Sequence, residues 1–80
     1  MKIRLKTIED VKLFVNAATR YYEGDIDIAQ GKYKVDGRSM IGIFSLNLLD
    51  PVEVTISNAP TEEVEKNFYN FISKWKVEED

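Results

Sequence analysis

At the head of the chain Ile3 and Leu5 alternate with Lys2, Arg4 and Lys6, the two-residue period of a strand with one face on a core. Thr7-Ile8-Glu9-Asp10 follows, a capping hydroxyl and two early carboxylates suited to the positive end of a helix, ahead of Val11, Phe14, Val15 and Ala18 at helical spacing. The pattern predicts a first helix from about Ile8 to about Tyr22. Gly24 ends it, Ile26 and Ile28 restart the strand alternation, and Ala29-Gln30-Gly31-Lys32 reads as a hairpin turn into Tyr33, Lys34 and Val35. Asp36-Gly37 breaks that strand, and Ser39 stands where a helix N-cap belongs, before Met40, Ile41, Ile43, Phe44 and Leu46. This second helix is short and apolar. Asn47-Leu48-Leu49-Asp50-Pro51 closes it, and Val52, Val54 and Ile56 alternate with Glu53, Thr55 and Ser57 as a fourth strand. Thr61-Glu62-Glu63-Val64 then opens a last helix with the apolar stripe Val64, Phe68, Phe71, Ile72 and Trp75. The tail 77–80 is expected to fray.

The element order is β-α-β-β-α-β-α. It implies the α+β class, a two-layer open-faced β-sandwich in which a four-stranded, mostly antiparallel sheet carries three helices on one face. All 80 residues fit one domain, small enough that every amphipathic element must contribute to the core.

Composition narrows the chemistry. The chain has no cysteine and no histidine, which excludes disulfides, thiolate chemistry, zinc sites and imidazole catalysis. Eleven basic against fourteen acidic residues give a net charge of −3, which argues against nucleic acid as a partner. The first residues alternate charged with apolar side chains and build no signal-peptide core, and no run approaches the length of a membrane span. A cytoplasmic protein with no membrane association is expected. No Gly-rich phosphate loop, paired-carboxylate site or nucleophile-and-base arrangement is present, so no catalytic residue, metal or cofactor is expected.

Asp36-Gly37-Arg38-Ser39-Met40-Ile41-Gly42-Ile43-Phe44-Ser45-Leu46 resembles the regulatory-serine segment of the HPr family, the small phosphocarriers of the bacterial sugar phosphotransferase system. Leu5-Lys6-Thr7 and Leu13-Phe14-Val15 resemble the end of the family's first strand and the start of its first helix, particularly in the catabolite-repression variant. Glu53-Val54-Thr55-Ile56 resembles its fourth strand. The likeness runs from Ile3 to about Trp75 and implies the same element order. One departure is decisive for function. The family carries a Gly-[Leu/Ile]-His-Ala-Arg-Pro loop before the first helix, with the phosphorylated histidine at the helix N-terminus. Here Thr7 passes through Ile8-Glu9-Asp10-Val11-Lys12 directly into the helix, and the two acids repel a phosphoryl donor.

In Gram-positive members the serine corresponding to Ser39 is phosphorylated by an ATP-dependent kinase and read by transcriptional regulators. By position alone Ser39 is equally an N-cap and nothing more. The resemblance also implies that Met40, Ile41 and Phe44 form an exposed protein-binding patch, while Ile43 and Leu46 turn inward. The competing expectation is that this short helix buries more of its apolar residues than the family does. Asp10 as an alternative phosphoryl acceptor competes with an ordinary acidic first turn. Phe68, Phe71 and Trp75 are expected in the core, and Tyr21 and Tyr22 are expected to anchor the end of the first helix with both hydroxyls at the surface.

The sequence thus points to a histidine-less, non-enzymatic regulatory module of the HPr type, phosphorylated at Ser39 and binding protein partners: an HPr kinase, a transcriptional regulator or a metabolic enzyme. The alternative is an unmodified binding or assembly module using Met40, Ile41 and Phe44. A monomer or weak homodimer is expected.

Overall fold

In the computed structural model, residues 1–77 are described. The order is β1 (Lys2–Ile3), α1 (Ile8–Tyr21), β2 (Asp25–Gln30), β3 (Tyr33–Asp36), α2 (Met40–Phe44), β4 (Val52–Ser57) and α3 (Glu62–Ile72), followed by a 3-10 turn at Ser73–Trp75. The strands form one sheet in the order β1-β4-β2-β3 with every neighbouring pair antiparallel. This is the expected open-faced α+β sandwich.

Alternation decides which face of the sheet is covered. Val52, Val54 and Ile56 of β4 and Ile26 and Ile28 of β2 are buried, whereas Glu53, Thr55, Ser57 and Asp25 are exposed on the other face. Cross-strand register keeps the two sets apart, with Ile26 opposite Ile56 and Ile28 opposite both Val54 and Val35. From the helices, Val11, Phe14, Ala17 and Ala18 of α1, Ile43 of α2 and Phe68 and Ile72 of α3 complete the core. Phe14 meets Phe68 edge-on with ring centroids 5.8 Å apart, and Tyr22 lies 5.4 Å from the same ring.

Helix starts follow the predicted caps. Thr7 Oγ1 accepts the Asp10 N–H at 3.0 Å, and Thr61 Oγ1 accepts the Val64 N–H at 3.1 Å. β2 extends through Ala29 and Gln30, so the hairpin turn is only Gly31-Lys32. Gly31, at φ 60°, takes the first turn position, where a type II′ hairpin needs a positive φ.

Two departures from the sequence pattern bear on the site. Tyr22 points inward: it is 2 % exposed, and its hydroxyl donates to the Ser57 carbonyl at 3.3 Å rather than to solvent. Tyr21 alone of the pair faces out, 68 % exposed. The second departure is at β1, whose ladder with β4 covers only Lys2 and Ile3. Its other edge is closed from the far end of the chain. Arg4 N–H donates to the Trp75 carbonyl and Val77 N–H to the Lys2 carbonyl, both at 2.9 Å, with Ile3 bridged to Lys76. Val77 is therefore tied to β1, and the rest of the tail, expected to fray, lies outside the described residues. No helix among the described residues is long and apolar enough to cross a membrane.

Candidate functional site

The segment from Asp36 to Leu46 is held from three directions. Asp36 Oδ1 accepts the Arg38 N–H at 2.7 Å, closing an Asx turn at the end of β3, and the Ser39 N–H donates to the Asp36 carbonyl at 3.0 Å. Gly37 donates its N–H to the Ile26 carbonyl at 2.8 Å and presses on that residue so closely that a Cβ would collide with the Ile26 side chain. A larger residue there would push the loop off the sheet.

Arg38 supplies the third hold. Its Nε donates to the Ala18 carbonyl at 3.2 Å, and its Nη2 donates to the carbonyls of Tyr22 at 2.6 Å and Gly24 at 2.7 Å. Ala18 belongs to the last turn of α1, where carbonyls lack helical partners and the dipole favours a cation. One half-buried guanidinium thus joins the end of α1, the start of β2 and the loop before α2.

Ser39, exposed at the end of this loop, caps α2 through Oγ, which accepts the Gly42 N–H at 3.1 Å. The first turn of α2 carries no acidic residue. The helix is clearly two-sided. Ile43 is fully buried and Leu46 nearly so, whereas Ile41 is 85 % and Phe44 42 % exposed, three residues apart on the same side. Met40 is half-buried and packs against the core, so of the expected patch it contributes least to the surface. Leu49, in the loop after α2, is also 85 % exposed. Gln30 fixes that loop: its amide donates to the Asn47 carbonyl at 2.7 Å and accepts the Asn47 N–H at 2.8 Å.

The β1–α1 junction is different in kind. Asp10 Oδ2 accepts the Lys6 N–H at 3.1 Å while the Asp10 N–H is bound by Thr7, so the carboxylate completes a capping arrangement. Its observed work is structural. Among the described residues no group of three or more Asp or Glu side chains is placed to hold a metal ion.

Comparison with solved structures gives one informative neighbour. The crystal structure of HPr-C-His from Thermoanaerobacter tengcongensis matches over 99 % of this chain and 97 % of that one, with a TM-score of 0.72 and 25 % sequence identity. The chain has the HPr-like fold. No protein-family model matches the sequence, and no curated protein matches it. At this distance the HPr-like frame is carried by element order and sheet topology, while the chain itself has no histidine to carry a phosphoryl group.

Arg38 and Gln30 were not legible as site residues. Both act on carbonyls distant in sequence, and a single basic or amide side chain in a loop gives no sign of which backbone it will meet.

Proposed function

We propose that this protein is a non-enzymatic, HPr-like interaction module in which α2 docks onto a protein partner through Ile41 and Phe44, with Met40 at the margin, under control of phosphorylation at Ser39. The observation that carries this reading is the exposure of Ile41 and Phe44 on a helix capped by the exposed Ser39 and pinned to the fold by Arg38 and Ile43. Exposed apolar side chains on an ordered helix offer a partner contact area with little ordering cost. An added phosphate would place a dianion at the start of the helix that carries the apolar pair, enough to change which partners bind. Residues 1–80 form one domain of a cytoplasmic, bacterial protein, a monomer or weak homodimer. The partner classes that suit the surface are an HPr kinase, a transcriptional regulator and a metabolic enzyme.

Ser39→Ala is a poor test because it removes the α2 cap as well as the acceptor. Ser39→Asn retains a capping oxygen and removes the phosphorylatable hydroxyl. With ATP and an HPr kinase, the native chain should gain one phosphoryl group and Ser39→Asn none. Phe44→Asp should keep its fold and lose about tenfold or more in partner affinity, as when an interface anchor is removed. Phosphorylation of Ser39→Asn, or a Phe44→Asp chain that binds as well as the native one, would defeat the proposal.

A second reading is supported by the cap itself. The Ser39 Oγ already accepts the Gly42 N–H as a helix cap, which supports an unmodified binding or assembly module using the same patch. That reading predicts unchanged mass in the kinase reaction with full sensitivity to Phe44→Asp.

A further inference from the structure

Where the end of the chain closes against β1, the surface forms a cleft of about 320 Å³ lined by Arg4, Lys6, Asp10, Lys74, Trp75 and Lys76. Among the described residues four cations face one carboxylate there, in a protein whose net charge is −3. Asp10 Oδ2 accepts the Lys6 N–H and keeps its charge, which the four cations of the lining outweigh. Among the described residues none of the four cationic side chains has an ion-pair partner. Lys74 instead stacks its ammonium over the Phe71 ring, 4.1 Å from the centroid, and stands 5.3 Å from that of Trp75.

The second observation is independent of the charge count. Arg4 Nε is buried and has no hydrogen-bond partner. Buried donors are nearly always satisfied, and a charged donor left without an acceptor is costly, so the unmatched N–H of a guanidinium that lines this basic cleft favours an anion able to draw the group outward. Mutual repulsion among the cations works in the same direction, because one bound dianion relieves both. The cleft volume lies at the lower end of small-molecule sites, and the Trp75 indole supplies an apolar wall.

We propose that this cleft binds a small phosphate-ester anion, with Arg4, Lys6, Lys74 and Lys76 as the phosphate ligands and Trp75 against the organic part. Phosphate suits the site because guanidinium and ammonium donors match its oxygens, and guanidinium engages them through more than one N–H. The proposal is independent of the α2 surface and stands or falls without it.

The test is titration of the full chain with inorganic pyrophosphate at physiological ionic strength, followed by amide NMR shifts and Trp75 fluorescence. Saturable binding is expected, with the largest shifts at Arg4, Lys6, Trp75 and Lys76. Arg4→Gln and Lys76→Gln should each weaken it about tenfold, the loss for one charge-assisted contact. Lys32→Gln, at the hairpin turn, should leave it unchanged. Lys76→Gln keeps the experiment decisive if Arg4→Gln does not fold. Shifts spread over the surface without saturation, or equal weakening by Lys32→Gln, would overturn the proposal. So would binding seen only after Glu78, Glu79 and Asp80 are neutralised, since the cleft would then belong to the chain's own acidic residues.

Discussion

Arg38 gives the sharpest test of how the α2 platform is built. Truncation to alanine removes three hydrogen bonds to the carbonyls of Ala18, Tyr22 and Gly24, and with them the cation at the end of α1. A hydrogen bond from a charged donor contributes about 1.5–3 kcal/mol when buried, but these three are only part-buried, so water can replace part of the loss. Including the helix-end charge, the expected cost is about 3 kcal/mol. That is a large share of the roughly 8 kcal/mol typical of a domain this size. With a urea dependence of about 1 kcal/mol per molar, the unfolding midpoint should fall by about 3 M. Thermal unfolding should shift down by about 15 °C. Arg38→Lys retains the charge without the planar fork and should recover about half of the loss. Hydrogen exchange should rise first at Tyr22–Gly24 and in α2. A change below about 0.5 kcal/mol, the range of ordinary surface substitutions, would refute the role assigned to this guanidinium.

Other substitutions address different parts of the fold. Ile43→Ala, at a fully buried position, should cost about 2–5 kcal/mol in urea unfolding, whereas Ile41→Ala, two residues away, should stay within about 0.5 kcal/mol. Thr7→Ala and Thr61→Ala should each cost about 1 kcal/mol through loss of the N-cap bond, read from the same curves. Burial, reinforced by Glu65, Tyr69 and Asp25 and opposed by Arg38, raises the Tyr22 phenol above its ordinary value of 10.0. The fold therefore favours the neutral phenol, and this contribution is complete below the unfolded-state value and lost as pH rises through the higher folded-state value. Urea midpoints measured between about pH 9 and about pH 11 should fall more steeply for the native chain than for Tyr22→Phe, and parallel slopes would contradict this.

The alternation of Val52, Val54 and Ile56 and the caps Thr7, Ser39 and Thr61 were enough to read the layers and the helix starts, because these signals are local. Ile43 and Leu46 turned inward as the HPr resemblance implied, leaving Ile41 and Phe44 outside. Tyr22 was misread because a tyrosine just past a helix end looks like a surface anchor until Gly24 turns the chain and brings Ser57 within reach. The closure of β1 by Trp75 to Val77 joins opposite ends of the sequence, so neither end showed it alone. For the same reason Arg4 and Lys6 looked like the solvated face of a strand until Lys74 and Lys76 arrived beside them.

We propose that this chain, HPr-like in fold, is a target of regulation rather than a phosphocarrier. The decisive measurement is intact mass with fragmentation after parallel incubation with ATP plus an HPr kinase and with phosphoenolpyruvate plus Enzyme I. One phosphoryl group on Ser39 from ATP and none from phosphoenolpyruvate is the expected result, whereas an unchanged mass with ATP, or an acid-sensitive group acquired from phosphoenolpyruvate at Asp10 or elsewhere, would overturn the proposal.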